Sequence, residues 1–81
     1  MERAIRSNKE LGKIIRLVRK NKNMRQVDVA KKASVRQALV SELENGVTAA
    51  KVDTIIKVLA ALEMDLTIVS RRKAEFDPRE Y

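Results

Sequence analysis

The sequence contains neither cysteine nor histidine. The lack of cysteine excludes disulfides, thiolate metal sites and cysteine nucleophiles, and the lack of histidine removes the commonest metal ligand and the commonest general base at neutral pH. There is also no glycine-rich phosphate loop and no pair of inward-facing carboxylates, because Glu42, Glu44 and Asp53 are better interpreted as caps and surface pairs. The sequence therefore predicts a protein that is not an enzyme and needs no metal or cofactor.

Glycine, proline and aromatic residues are scarce as well: the 81 residues include two glycines, one proline, one phenylalanine and one tyrosine. So few turn-forming residues predict one small, mostly helical domain. A core of this size is marginal on its own, and oligomerisation is the remaining way to stabilise it. Residues 1–10 hold no apolar run suited to a signal peptide and no later segment could span a membrane, so we expect a soluble, cytoplasmic protein without a membrane partner.

Positive charge, in contrast, is abundant and lies at one end of the chain. The net charge is +7, and residues 1–25 carry nine Lys/Arg against two acidic residues, which accounts for the whole excess. Residues 26–50 and 51–81 are each balanced. A basic block of this kind suits a polyanion such as nucleic acid, although a solvated helix surface has the same composition.

A capping box marks the start of the first predicted helix, with Ser7 at the N-cap and Glu10 three residues later. Apolar residues at helical spacing follow, and the helix is predicted to end near Asn21–Asn23, where asparagine tolerates a left-handed conformation. The apolar positions are Leu11, Ile14, Ile15 and Val18.

Two short helices are predicted next, at about residues 26–32 and 36–44, with a tight turn at 33–35 between them. Gly46 ends the second, because glycine is the favoured residue just past a helix. Thr48 is predicted to cap a fourth helix. Its predicted core stripe is Val52, Ile55, Ile56, Leu59 and Leu62.

The apolar period changes to two at Asp65–Arg71, where Leu66 and Ile68 alternate with Thr67 and Val69. This alternation predicts a strand, the only one in the chain. A lone strand leaves its backbone donors and acceptors unpaired, and pairing with the same strand of a second copy would satisfy them. We therefore predict a homodimer with its contact at these four residues.

Two short helices joined by a tight turn are typical of a helix-turn-helix motif, whose second helix enters the DNA major groove. At its start, the Arg36 side chain can donate two hydrogen bonds to a guanine, and the Gln37 side chain can form two hydrogen bonds with an adenine. Ala38 allows close approach to a thymine methyl group. Gln26 begins the preceding helix, at an end suited to a phosphate. Taken singly, each polar residue is more simply the solvated start of a helix; the combination favours base reading. Phosphate contacts are also predicted for Arg25, Lys13 and Arg16.

Two segments resemble the Cro/C1-type (XRE) helix-turn-helix family. RQVDVAKKA at residues 25–33 is similar to the family's second helix, and VRQALVSELENG at residues 35–46 is similar to its third helix and exit. Arg-Gln-Ala in the groove helix, with KVLAALEMDLTIV at residues 57–69, is most similar to the HipB-type antitoxins. The chain departs from the family at three positions. Arg25 replaces the usual Thr or Ser cap, Ser34 the usual turn Gly, and Leu39 a usual Thr.

The resemblance implies an all-α, compact four- to five-helix fold like that of λ repressor, with one C-terminal strand pairing across a homodimer. It places Arg36, Gln37 and Ala38 on base-reading positions and Gln26 and Ser41 on phosphate-contacting ones. It implies a repressor of its own operon that binds a palindromic operator and a HipA-type serine/threonine kinase toxin. The alternative is a stand-alone XRE-type phage or host repressor without a toxin. An RNA-binding module is less supported, because the body of the domain has no aromatic stacking platform.

The sequence divides into a DNA-binding and dimerisation domain at residues 1–73 and a flexible tail at 74–81. The tail holds the only two aromatic residues, Phe76 and Tyr81. Aromatic side chains often anchor in partner pockets, which favours a tail that binds a protein. A frayed terminus whose aromatic residues fold back or do nothing is an equally good interpretation.

Overall fold

The computed structural model describes residues 4–47 and 50–71, and these residues contain four helices and no strand. The predicted tail with Phe76 and Tyr81, the boundary after residue 73 and the predicted cap Thr48 lie outside the described residues. The helices are α1 (Asn8–Asn21), α2 (Gln26–Ala33), α3 (Gln37–Asn45) and α4 (Val52–Ala61).

The ends of α1 are set by local hydrogen bonds. The Ser7 hydroxyl accepts the Glu10 backbone N–H at 3.1 Å, which confirms the predicted N-cap. The Glu10 carboxylate accepts the backbone N–H of Arg6 at 3.2 Å, one residue before the donor that a standard capping box would use. At the other end, Asn23 has φ 57° and turns the chain away from the helix axis, as predicted.

A left-handed residue also separates α2 from α3. Ser34 has φ 58° and ψ 44°, and its backbone N–H bonds to the carbonyls of Ala30 and Lys31 at the end of α2. Gly46, with φ 69°, ends α3 in the same way. Glycine adopts this conformation freely and serine does not, so Ser34 keeps a small strain in order to hold the turn.

The core lies where α3 packs on both α1 and α2 and where α2 packs on α4. Its fully buried side chains come from all four helices. They include Ile15, Val29, Val40, Val58 and Leu62.

The predicted inner face of α4 is wrong at two positions. The helix begins at Val52 with Lys51 as its N-cap, so the prediction of Thr48 as the cap was wrong. Val52 and Ile56 are 61% and 47% exposed. Val58, absent from the predicted stripe, is fully buried instead. The apolar positions of α4 surround more than half of the helix, so spacing alone does not show which of them α2 covers.

The segment after α4 borders an open groove. Residues 64–71 form neither helix nor strand in this single chain. Ile68 and Val69 are 91% and 74% exposed, beside a groove of about 970 Å³ whose floor includes Ile14 and Leu59. A β-strand is assigned from its backbone hydrogen bonds to a neighbouring strand, and the neighbour expected here belongs to a second copy. The pairing between two copies therefore stays a prediction. None of the four described helices is long and apolar enough to cross a bilayer.

Gly12 permits a close approach between α1 and α3, and Gly12→Ala tests it. A Cβ atom at residue 12 would lie 2.6 Å from the carbonyl oxygen of Glu44 and closer still to that of Leu43, so α1 and α3 would have to separate. We expect a loss of about 2–3 kcal/mol in the free energy of unfolding. Urea unfolding followed by circular dichroism measures it, with Lys20→Ala on the exposed face of α1 as the control. Equal stability of the two variants would contradict this packing.

Candidate nucleic-acid interface

The first turn of α3 presents the three predicted base-reading residues to solvent. Arg36 is the N-cap of α3, and Gln37 and Ala38 are the first two helical residues. All three are exposed. Among the described residues, neither Arg36 nor Gln37 has a side-chain hydrogen bond or an ion pair, so both side chains are available to an external ligand.

The next residues of α3 turn towards the protein. Leu39 stands where the family usually has threonine. It is half-buried and packs against the hydrophobic core of the domain. Ser41 is also half-buried, one turn after Gln37 on the same side of the helix. The exposed surface of α3 is therefore narrow.

A buried ion pair holds α3 against α1. The Arg19 guanidinium donates to both carboxylate oxygens of Glu44, at 2.6 and 3.0 Å, and to the carbonyl of Met24 at 2.9 Å. The two side chains are 12% and 3% exposed. A two-point pair of this kind fixes direction as well as distance, because the guanidinium and the carboxylate are both planar.

The interpretation of Glu44 as a cap or surface-pair residue was wrong, because its side chain is 3% exposed and is paired with Arg19. The sequence held only a weak signal for the burial of Arg19 and Glu44. Arg19 lies four residues after the buried Ile15, and Glu44 lies four residues after the buried Val40. Residues four apart share a helix face, so this spacing permits both side chains to turn inward. It does not require it, because Arg16 lies four residues after the buried Gly12 and is exposed.

Gln26 extends this network to the start of α2. Its amide nitrogen donates to a Glu44 carboxylate oxygen at 3.2 Å. The side chain is thus held at the N-terminal end of α2, on the carboxylate that also binds Arg19. The structure leaves Gln26 partly exposed, as a phosphate contact requires.

Arg25 precedes α2 and is paired locally. Its guanidinium donates to the two oxygens of Asp28 at 3.2 and 3.1 Å, and its backbone N–H donates to Asp28 at 2.8 Å. These bonds hold the pKa of Asp28 below its usual range, with the guanidinium as the larger cause and the backbone N–H as the next. Asp28 thereby supplies the capping bond at this end of α2.

The outer face of α1 carries four cations. Lys9, Lys13, Arg16 and Lys20 are exposed, at spacings that place them on one side of the helix. None of them forms an ion pair with a described residue. This basic face is a source of general attraction for a polyanion, and it includes the predicted phosphate contacts Lys13 and Arg16.

Comparison with known proteins places the chain in a family. The helix-turn-helix family model HTH_3 matches residues 15–69, which span α2, the turn and α3. The chain belongs to this helix-turn-helix family. Antitoxin HipB of Escherichia coli K12 is 30% identical over 76 residues, which cover 94% of this chain and 86% of HipB. An uncharacterised HTH-type transcriptional regulator, y4mF of Sinorhizobium fredii, is 32% identical and covers 90% of this chain and 100% of its own length.

Solved structures agree with this placement. A HipB variant in complex with an O2 20mer superimposes with a TM-score of 0.80 at 29% identity, covering 89% of this chain and all of HipB. HipB in a HipA–HipB–O2–O3 complex superimposes with a TM-score of 0.79 at 30% identity, covering 88% of this chain and all of the other. The chain is thus a HipB-like helix-turn-helix DNA-binding regulator with the expected fold.

A double-mutant cycle tests the Arg19–Glu44 pair. Glu44→Ala leaves a buried guanidinium without its counter-charge, so we expect a loss of about 3–5 kcal/mol in the free energy of unfolding. Arg19→Met should lose a similar amount, because it leaves the carboxylate buried and unpaired. The double variant Arg19→Met/Glu44→Leu should lose clearly less than the sum of the two single losses. Urea titrations of the four proteins measure this, and additive losses would rule out direct coupling.

The Arg25–Asp28 pair predicts a pH dependence. The pKa of Asp28 is lowered in the folded state, so the pair stabilises the protein above the unfolded pKa of about 4, and this stabilisation is lost as the pH falls through the lowered pKa. Asp28→Asn removes it. Thermal melts of both proteins across this pH range should show a stability difference at neutral pH that shrinks in acid. A difference independent of pH would contradict the assignment.

Proposed function

We propose that this chain is an autorepressing antitoxin that binds an operator as a homodimer and also binds a HipA-type serine/threonine kinase toxin. The observation that carries the DNA part is the first turn of α3, where Arg36, Gln37 and Ala38 are exposed on a helix that the Arg19–Glu44 pair holds firmly. A reading helix needs such support, because base recognition depends on where its first few side chains lie.

Direct base reading follows from the chemistry of these residues. Arg36 offers the two-pronged donor that matches guanine O6 and N7, and Gln37 offers the donor and acceptor that match adenine N7 and N6. Ala38 leaves room for the helix to approach. Gln26 and Ser41 flank the reading turn as phosphate contacts, with Arg25, Lys13 and Arg16 adding charge.

The homodimer is supported by the exposed apolar residues after α4. Leu66, Ile68 and Val69 are each about half exposed or more, which is unfavourable unless another surface covers them. Pairing of Leu66–Val69 with the same segment of a second copy covers them and satisfies the backbone. A symmetric dimer then requires an operator that is an inverted repeat, with half-sites about one helical turn apart, roughly 34–36 Å.

The toxin partnership rests on similarity and on composition. One of the similar structures is a HipA–HipB–O2–O3 complex, in which HipB shares 30% identity with this chain. We propose that Phe76 and Tyr81 in the C-terminal tail contact the toxin. Residues 74–81 carry three acidic residues and one arginine, so the tail has no net attraction to phosphate.

A second candidate function is a stand-alone transcriptional repressor. The 32% identical relative from Sinorhizobium fredii is described as a transcriptional regulator and not as an antitoxin. The two functions share the operator and the dimer, and they differ only in whether the tail has a protein partner.

Replacing the reading residues tests the DNA function. Arg36→Ala or Gln37→Ala should each weaken binding to the operator upstream of the chain's own gene by about 1–3 kcal/mol, because each removes a contact to a base. Binding to random DNA should change much less. Lys13→Ala is the matched control, since a phosphate contact should weaken both DNAs alike and lower the slope of log K against log salt by about 1. Equal losses on both DNAs for the α3 variants would show that they do not read bases.

Truncation after Lys73 tests the toxin partnership. We expect operator affinity to survive, because the reading turn is untouched, and affinity for the co-encoded kinase to fall by about 2 kcal/mol or more, as for loss of an aromatic anchor. Binding to both is measured with the same purified protein. Unchanged kinase binding would remove the role of the tail, and the absence of any kinase binding by the full chain would favour the stand-alone repressor.

A further inference from the structure

The outer face of α4 is apolar and exposed. We define it as Val52, Ile56 and Ala60, with Asp53 and Lys57 along one edge. The apolar residues are spaced four apart and form a stripe down the helix, and Val52 and Ile56 are 61% and 47% exposed. A stripe of this kind on a solvated helix is unfavourable unless a partner covers it.

The charge of this region favours a second copy of the chain as the partner. The +7 net charge lies in residues 1–25, so two copies repel each other through their α1 faces. Residues 50–71 carry three cations and three acidic residues and are neutral as a unit. A second copy can therefore approach along α4 without repulsion, whereas a polyanion gains nothing there.

The edge of the stripe is complementary to itself. Asp53 and Lys57 are exposed, four residues apart, and neither forms an ion pair with a described residue. In an antiparallel pair of α4 helices with the two-fold axis level with Ile55, residue 53 of one copy lies opposite residue 57 of the other. The same contact then occurs twice, as a symmetric interface requires.

The stripe also leads to the groove beside residues 64–71. Leu59, which lines that groove, lies seven residues after Val52 and thus on the same side of α4. One continuous surface therefore joins the outer face of α4 to Leu66 and Ile68. A second copy that pairs at these residues is brought next to the stripe.

We propose that the outer face of α4 packs antiparallel against the same face of a second copy, with Asp53 of each chain paired to Lys57 of the other. This rests on the homodimer proposed above and adds to it a helical contact that selects the partner. The strand supplies backbone hydrogen bonds, which any similar strand could satisfy. The charges of Asp53 and Lys57 favour only a partner chain that carries the complementary charges at the matching positions.

Charge reversal in mixed chains tests this contact. Asp53→Lys alone places like charges together twice in its homodimer, as does Lys57→Asp alone. When the two variants are mixed, both contacts become attractive, so we expect the ratio of mixed dimer to the two homodimers to exceed its statistical value by about tenfold. Native mass spectrometry distinguishes the three species. Glu42→Lys mixed with Lys31→Asp makes the same changes in net charge elsewhere and should give a statistical mixture.

A statistical mixture for the α4 variants as well would overturn the proposal and leave the strand-paired dimer standing. A monomeric wild-type chain at micromolar concentration in sedimentation would overturn both. Ile56→Lys tests the apolar part, with Leu17→Lys as the control because Leu17 is similarly exposed, at 43%, on α1. We expect Ile56→Lys to weaken the dimer at least about tenfold while circular dichroism shows an unchanged helix content. Equal effects of the two substitutions would count against the α4 contact, as would loss of kinase binding with the dimer intact.

Discussion

The Arg19–Glu44 ion pair is the interaction on which the arrangement of the helix-turn-helix depends. It joins α1 to the end of α3, it binds the carbonyl of Met24 in the turn before α2, and it holds the Gln26 side chain. Buried charges are costly unless every donor and acceptor finds a partner, so the pair is stable in few geometries. That selectivity gives α3 a defined position.

Backbone conformation also helps to fix the position of α3, at two points in the chain. The left-handed residue Ser34 fixes the angle at which α3 leaves α2, and Gly12 lets α1 approach the carbonyls of Leu43 and Glu44. Both features restrict how the helices can be placed relative to one another, which side-chain packing alone would leave less defined. The reading turn is thus supported from two sides, by α1 and by the turn.

Charge and apolar surface are separated along the chain in a way that suits two kinds of partner. The basic face of α1 attracts a polyanion, while the neutral α4 and residues 64–71 leave apolar side chains exposed for protein contact. Because the two surfaces differ in charge, DNA binding need not compete with contact to a protein. The four described helices can therefore hold separate surfaces for a polyanion and for a protein.

The sequence by itself determined where α1 begins, where α1 and α3 end, and which turn of α3 faces outward. Ser7, Asn23 and Gly46 act through bonds to residues a few positions away, so these signals are readable without a structure. Only the tertiary structure decided that Arg19 and Glu44 turn inward and that Val52 and Ile56 turn outward. Those outcomes depend on which neighbouring helix covers a given face, and that is set by contacts between residues far apart in the chain.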